Sequence, residues 1–355
     1  MRVFESLRAT NHEQILFCHD RETNLRAIIA LHDTSLGLAM GATRLFPYNS
    51  EEDALRDVLR LSRGMTYKAA CANIPVGGAK AVIIANPEDK TDALLKSYGR
   101  FVESLNGRFV TGQDVNLSPE DVRIINKETN YVVGVKELGG GATLATAIGV
   151  VLAIKAAVEF HWQRKNLDGL KVAIQGVGNV GKNLCKILYA NGAKLFVSDL
   201  IRDKAEEMAD LYEATIIEHQ DIHAWDVDVF SPCALGGILN SSTILQIRAS
   251  IIAGAANNQL ENEELHSQLI KSRKILYCPD YVINSGGLIN VYNEMIGNDD
   301  EKALSHVRKI YDTVLEIFDK AEREEITTYA ASKLLGEERI KKQKQQKKQK
   351  HLLIA

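Results

Sequence analysis

The stretch LKVAIQGVGNVGKNLCKILYANGAKLFVSD, residues 170–199, leaves a chain few ways to fold. An apolar strand, KVAIQ, runs into GVGNVG, which opens the helical segment KNLCKILYANG, and a second apolar strand, KLFVS, ends at Asp199. G-x-G-x-x-G is a weak signal alone, but between a strand and a helix it marks a parallel βαβ unit built to hold a dinucleotide. Gly176 permits the tight turn, Gly178 lets a pyrophosphate approach the backbone, and Gly181 lets helix and strand pack closely. Val177, Asn179 and Val180 complete the turn, and the helix N-terminus offers N–H groups and partial positive charge to phosphates. Asp199 is placed to accept hydrogen bonds from a ribose 2′-hydroxyl and to repel a 2′-phosphate, which predicts NAD over NADP. Arg202 and Lys204 lie close enough to soften that choice. A purely structural glycine turn is the alternative.

The segments VDVFSPCAL and SIIAGAANN read as further short strands, so the half of the chain after about 147 alternates strand and helix, as a parallel, doubly wound sheet does. Ligands of such sheets bind at the carboxyl ends of the strands. CALGG and AANNQ sit there, Ala234, Leu235 and Gly236 among them, and their small residues leave room for a planar nicotinamide. Asn257 and Asn258 carry amides suited to a carboxamide or carboxylate. Ordinary turn chemistry accounts equally well for each of these residues taken singly.

The first half reads differently. LRAIIALHD and LGLAMGATRLF resemble strands paired with each other. A helix follows Ser50, an N-cap backed by Asp53, with Leu55, Val58, Leu59, Ser62, Met65 and Ala69 as its apolar stripe. AKAVIIA is a buried strand, TDALLKSYGRFVESL a helix, GRFVTGQDV a strand ending at Asp114, and SPEDVRIINKET a helix started by Ser118 and Pro119. The domain boundary is expected at 135–145, in the glycine-rich KELGGGAT. The helical segment 305–325 is expected to bridge the domains or to pack back on the first.

Within this half, TYKAACANIPVGGAK sets Lys68 and Lys80 among apolar residues and a glycine turn. A lysine so placed loses solvation for its charge and gives up its proton more readily, which suits a general base. A second lysine that stays cationic grips a carboxylate. Asp114 completes a set suited to oxidation at an amino-bearing carbon. Spacing alone reads equally well as two snorkelling surface lysines.

Global properties exclude other classes. The 355 residues carry a net charge of −3, which provides no field for nucleic acid. The N-terminus lacks an apolar signal region, and no uncharged apolar run approaches the roughly 20 residues of a membrane span. A cytoplasmic protein without nucleic-acid or membrane partners is expected. Five scattered cysteines form no C-x-x-C pair and are expected as buried thiols. His219 and His223 are expected on the solvated surface, and no metal site is expected. The lysine-rich tail, 338–355, reads as a solvated helix extension or a disordered end. Contact with nucleic acid or a membrane surface is the other reading, weakened by the lack of interleaved aromatics.

MTYKAACANIPVGGAKAVI, GQDV, GVGNVG, CALGG, GAANNQL and DYVINSGGLINV occur in the order found in the Glu/Leu/Phe/Val amino-acid dehydrogenase family, which the chain resembles over roughly residues 10–330. The resemblance implies two domains. Residues 1–138 form an α/β substrate-binding, catalytic and oligomerisation domain, on which helices from about 325 pack back. Residues 139–325 form a Rossmann NAD-binding domain, with the active site in the cleft between the two. It implies that Lys68 binds the substrate carboxylate, that Lys80 is the catalytic base, and that Asp114 assists proton transfer and holds the amino group. Asn257 contacts substrate, Ala234 to Gly236 and Asn258 line the cofactor, and Thr146 lies near the nicotinamide. Relatives often carry proline just before that threonine, where this chain has GGGATLAT. A homo-oligomer, dimeric or larger, is also implied.

Glutamate-specific relatives place a lysine where this chain has Met40, before Gly41. An apolar side chain there cannot pair a second carboxylate. Gly112 stands where leucine-type relatives carry a slightly larger residue, and Leu288 and Val291 are expected to line the pocket. These features predict an aromatic L-amino acid, tryptophan ahead of phenylalanine, converted with NAD to its 2-oxo acid and ammonia. A leucine- or phenylalanine-preferring dehydrogenase is the enzymatic alternative. A non-catalytic NAD-binding sensor or scaffold is the alternative from another class.

Overall fold

The computed structural model describes residues 3–135 and 141–354, with side chains as far as 346. Most of the expected boundary segment, KELGGGAT, lies outside the described residues. Backbone contacts divide the chain into two compact units, Met1–Gly139 with Gly336–Ala355, and Gly140–Leu335.

The first unit is built on β1 (Gln14–Asp20), β2 (Leu25–Asp33), β3 (Ala39–Met40), β4 (Thr43–Phe46), β5 (Gly77–Ile84) and β6 (Phe109–Val110). The strand order is β1-β2-β5-β3-β6, with β4 also on β5. β2 and the 39–46 segment do not pair with each other as expected. β5 lies between them, antiparallel to β2 and parallel to β3 and β4. The reason is its composition: all eight positions of β5 are buried, so it takes the centre of a sheet covered on both faces. Side chains alternate between those faces. Ala79, Ala81 and Ile83 join a core with Leu94, Tyr98 and Ile125, whereas Val82 and Ile84 join one with Leu55, Val58 and Leu59. Lys80, in step with Val82, therefore belongs to the face covered by the helix Glu51–Cys71, the helix that carries Lys68.

That helix starts where expected, with the Ser50 hydroxyl accepting from the Asp53 N–H. Met65 is only half-buried, and Thr66 takes its place in the stripe. Thr66 fits because residue 78 is glycine: a Cβ there would lie 2.2 Å from the Thr66 nitrogen. Ser118 and Asp121 form a complete capping box behind Pro119.

The second unit is a six-stranded sheet of β7 (Lys171–Gln175), β8 (Lys194–Ser198), β9 (Thr215–Ile216), β10 (Val229–Pro232), β11 (Ile251–Ile252) and β12 (Leu276–Tyr277). Its order is β12-β11-β10-β7-β8-β9, and every pairing is parallel. The chain starts at the centre and winds outward in both directions, so the topological switch falls between β7 and β10.

The helix Gly141–Trp162 is long and apolar enough to cross a membrane by length and composition, more than the sequence reading allowed. Here it is a core helix, with ten buried residues from Ala145 to Val158. The helices Gly286–Met295 and Asp300–Arg323 pack on it, so the latter belongs to the second unit rather than bridging to the first. His219 is exposed as expected, but His223 is buried, carried inward by the short turn Ile222–Ala224. Cys18, Cys71, Cys185 and Cys278 are buried thiols, and Cys233 is half-buried. The tail continues the helix Thr328–Ile354, which is the helical of the two expected forms.

Candidate active site

In the first unit, β5 delivers Lys80 to a carboxylate. Lys80 is 7% exposed, and its Nζ lies 2.6 Å from Asp114 Oδ2. Burial by itself would raise the Asp114 carboxyl, but the Lys80 ammonium and then the Arg44 guanidinium outweigh it and hold the group below the usual carboxylate range. Arg44 Nε lies 3.6 Å from the same oxygen, and Arg44 Nη1 lies 3.0 Å from Asp57 Oδ2. Tyr48 donates its hydroxyl to Asp57 at 2.5 Å. Sequence reasoning missed Arg44 and Asp57. The signal was available: Arg44 is a cation inside the apolar run ATRLF, the same anomaly that marks Lys68 and Lys80.

The loop bearing Asp114 is held from below. Thr43 Oγ1 lies 2.5 Å from both the Tyr98 hydroxyl and Thr111 Oγ1, and the Thr43 N–H donates to the Gly112 carbonyl at 2.9 Å. Met40 is fully buried in β3. Gly41 is obligatory for close packing, since a Cβ would lie 1.6 Å from the Ala79 carbonyl oxygen. A Cβ on Gly112 would meet Val133 at 3.2 Å, so a larger residue there would press on that neighbour. Lys68 is half-buried in the last turn of the helix 51–71.

The second unit gathers its predicted residues at the carboxyl ends of the strands. Gly176 adopts φ +94°, a left-handed value that favours glycine, with Ala234 packed against it. A Cβ on Gly181 would lie 2.2 Å from the Gly176 carbonyl oxygen, while nothing lies within 4 Å of a Cβ on Gly178. The open side of the turn is therefore at Gly178, the position where a pyrophosphate must approach. Gly178 caps the helix Asn179–Ala190, which contains Val180. Asp199 ties the turn down: its Oδ2 accepts from the Val177 N–H at 2.9 Å and its Oδ1 from the Ile201 N–H at 3.0 Å. Each oxygen retains a lone pair for a hydroxyl donor. This arrangement fits a dinucleotide.

CALGG and AANNQ meet one another. Gly237 N–H donates to the Asn258 carbonyl at 2.9 Å, and a Cβ on Gly236 would lie 2.8 Å from the Asn257 and Asn258 carbonyl oxygens. Ala234, Leu235 and Gly236 form an exposed lip, with Leu235 79% exposed. Asn284, not anticipated from sequence, donates Nδ2 to Asn257 Oδ1 at 2.8 Å and so fixes which way that amide points. Thr146 turns its hydroxyl back to the Ala142 carbonyl at 2.8 Å, and its Oγ1 would lie 2.9 Å from a Cβ on Gly287. Leu288 and Val291 are half-buried and share a face of the helix 286–295 at i, i+3 spacing. Among the described residues, no group of three His, Cys, Asp or Glu side chains is gathered as a metal site requires.

Residues 12–133 match the family Glu/Leu/Phe/Val dehydrogenase, dimerisation domain, and residues 140–200 and 197–348 match the family Glutamate/Leucine/Phenylalanine/Valine dehydrogenase. An L-tryptophan dehydrogenase of Nostoc punctiforme is 65% identical over 347 residues, 98% of each chain. A leucine dehydrogenase of Geobacillus stearothermophilus is 46% identical, over 96% of this chain and 94% of its own length. The crystal structure of L-tryptophan dehydrogenase from Nostoc punctiforme superposes with a TM-score of 0.86 at 62% identity, covering 96% of this chain and 99% of that one.

Proposed function

The chain belongs to the Glu/Leu/Phe/Val dehydrogenase family, and from that premise we propose that it catalyses the NAD-dependent, reversible oxidative deamination of L-tryptophan to indole-3-pyruvate and ammonia. The observation that carries the chemistry is the Lys80–Asp114 contact at 2.6 Å, in a chain whose other unit holds a dinucleotide turn. The 65% identity to an L-tryptophan dehydrogenase supports the substrate, as does buried, uncharged Met40 at the position where a side-chain carboxylate would need a cation.

Bound NAD supplies the hydride acceptor, held by Gly176 to Gly181, Asp199, Ala234 to Gly236 and Asn258. Lys68 fixes the substrate carboxylate, and Asn257, oriented by Asn284, contacts the substrate's polar end. The substrate ammonium gives up one proton and Cα gives up hydride, which leaves an iminium, and Lys80 activates the water that attacks the iminium carbon. Asp114 steadies the substrate ammonium at first, and then moves protons between Lys80, the new hydroxyl and the departing ammonia. Arg44 keeps Asp114 ionised between these transfers. Selection of tryptophan over phenylalanine rests in the first unit on the space left at Gly112, where each methylene-sized change is worth about 1–3 kcal/mol. Overlap among apolar substrates follows.

NAD is favoured over NADP because Asp199, the residue just after β8, presents a carboxylate that repels a 2′-phosphate, and because Arg202, the cation nearest in sequence, is engaged by Glu206 at 2.9 Å and Glu218 at 3.8 Å. Replacing Asp199 by serine is expected to raise KM for NAD about tenfold and to narrow the NAD/NADP ratio, by loss of one charge-assisted hydrogen bond and one repulsion. Initial rates with the two cofactors check this. The chain is also read as a homo-oligomer. Its first unit matches the family's dimerisation domain, and Phe4 and Phe17 there are 86% and 48% exposed.

The deciding assay follows NADH absorbance with NAD and L-tryptophan, phenylalanine, leucine and glutamate at alkaline pH. The expected order is tryptophan first, phenylalanine next, and glutamate inert. Turnover led by leucine would replace the substrate assignment. NAD binding without turnover of any amino acid would replace the enzyme with a binding module.

A further inference from the structure

The lysine-rich tail has no role in the chemistry above, yet its helix is anchored at one place. Gly336 packs on the last turns of the helix 51–71: a Cβ there would lie 3.0 Å from the Tyr67 ring, with Cys71 Sγ and the Ala70 Cβ next nearest. Tyr67 donates its hydroxyl to Glu337 Oε1 at 3.1 Å. Arg339 Nη1 donates to the Cys71 carbonyl at 2.5 Å and reaches the Ala70 carbonyl at 3.4 Å. Lys344 Nζ lies 3.0 Å from Asp33 Oδ2. Asp33 is the register partner of Gly78 in the glycine turn that leads to Lys80.

The physical logic is that of a helix end. The last carbonyls of a helix have no partner within it, and they carry partial negative charge. Here the Lys68, Ala69 and Ala70 carbonyls accept from the Ala72, Ile74 and Asn73 N–H groups of the following turn, and Arg339 adds its donor one residue further on, at the Cys71 carbonyl. A guanidinium fork placed on them supplies donors and complements the dipole. Residues 67, 70 and 71, which receive these contacts, surround Lys68 in sequence and share its last turn. A carboxylate anchor on a fraying last turn would spread over several positions, and misplacement by about 1 Å is enough to cost up to 10²-fold.

We propose that Arg339 is a positioning residue for the substrate site: it clamps the last turn of the helix 51–71 from the chain's C-terminal helix and so fixes Lys68 for the substrate carboxylate. The proposal rests on the reading of Lys68 as that anchor.

The test uses steady-state kinetics of the full-length protein. Arg339→Gln is expected to raise KM for L-tryptophan about tenfold, with kcat and KM for NAD unchanged within twofold. Arg339→Lys, which restores a cationic donor, is expected to recover most of the loss. An unchanged KM for tryptophan overturns the proposal. So does a parallel fall in kcat and in affinity for both substrates, which marks a general stabiliser. If Arg339→Gln does not fold, Glu337→Ala decides. It removes the Tyr67 contact on the same turn and is expected to raise KM for tryptophan two- to threefold, and no change overturns the clamp. Lys68→Ala separates the two layers of the argument. If it leaves KM for tryptophan unaltered, the anchor reading fails. If it raises KM strongly while Arg339→Gln is silent, only the clamp fails.

Discussion

Replacing Lys80 by alanine is expected to lower kcat for tryptophan oxidation by about three orders of magnitude, within the 10²- to 10⁴-fold range of a positioned acid–base group. Dinucleotide binding by the second unit is expected to stay as in the wild type. The geometry makes the loss large. Lys80 sits 7% exposed at 2.6 Å from Asp114, so no solvent lysine can substitute for it. Asp114→Asn is expected to lose nearly as much, and the double variant little more than either single one, because groups acting as a unit are strongly non-additive. Isothermal titration with NAD and stopped-flow NADH formation separate the two properties. A Lys80→Ala protein that still turns over at more than a tenth of the wild-type rate removes Lys80 from the chemistry.

The second large effect is on stability, and it is read against pH. His12 and His32 are buried in the first unit, with ring centroids 4.7 Å apart. His12 sits between Thr10 Oγ1 at 2.7 Å and Ser62 Oγ at 2.8 Å, and His32 Nδ1 lies 2.8 Å from Thr66 Oγ1. Burial, then the neighbouring His32, lower the His12 imidazole from 6.5 to about 3, and Arg63 adds to the effect. Burial likewise lowers His32, against the pull of Asp33. Above pH 6.5 both rings are neutral whether the chain is folded or not, so their stabilising contacts are fully present. As pH falls below 6.5, the unfolded chain binds protons that the folded chain refuses, and stability drops until about pH 3. By pH 4 the His12 penalty alone is on the order of 2–3 kcal/mol after allowance for residual solvent screening.

The carboxylates enter only the acid end of this window. Asp33, Asp114 and Asp121 are held below the usual value of 3.8 and Glu324 below 4.5, so their contributions fade progressively below about pH 5. His306, in the second unit, is also lowered by burial and titrates in the same range. A His12→Gln comparison isolates the first unit. Urea midpoints from pH 7 to pH 4 are expected to fall more gently in the variant, whatever its absolute stability. Parallel slopes would show that His12 protonates freely in the fold.

Much of the second unit was legible in residues 170–199, because a strand, a glycine turn and a helix in sequence admit one handedness and one face for a phosphate. The first unit was harder. Apolar runs announce strands but not their neighbours, and β5 claimed the centre only because every one of its positions is buried. Lys80 was visible as a polar residue in apolar company, and Asp114 as an acid at a strand end. The Arg44–Asp57–Tyr48 network was not read, since its members are spread over β4, the turn after it and the helix 51–71 and converge only in space. Asn284 was missed for the same reason: an asparagine before a serine and two glycines looks like a turn, and its grip on Asn257 depends on two loops meeting. The clamp at Arg339 lay beyond sequence reading, as no spacing links residue 339 to residue 71.

The strict two-faced alternation along β5 limits how this pocket can change. A one-residue insertion or deletion between Gly78 and Lys80 would exchange the two sets of side chains. The amine would then point among Leu94, Tyr98 and Ile125, with an alanine in its former place. Divergence in substrate preference, whether by natural drift or by engineering, must therefore proceed by exchange of side chains at constant chain length in this stretch. Positions 40 and 112 do not set the step of that strand, and exchanges there meet only the limits of packing, the full burial of Met40 and the nearness of Val133 to residue 112.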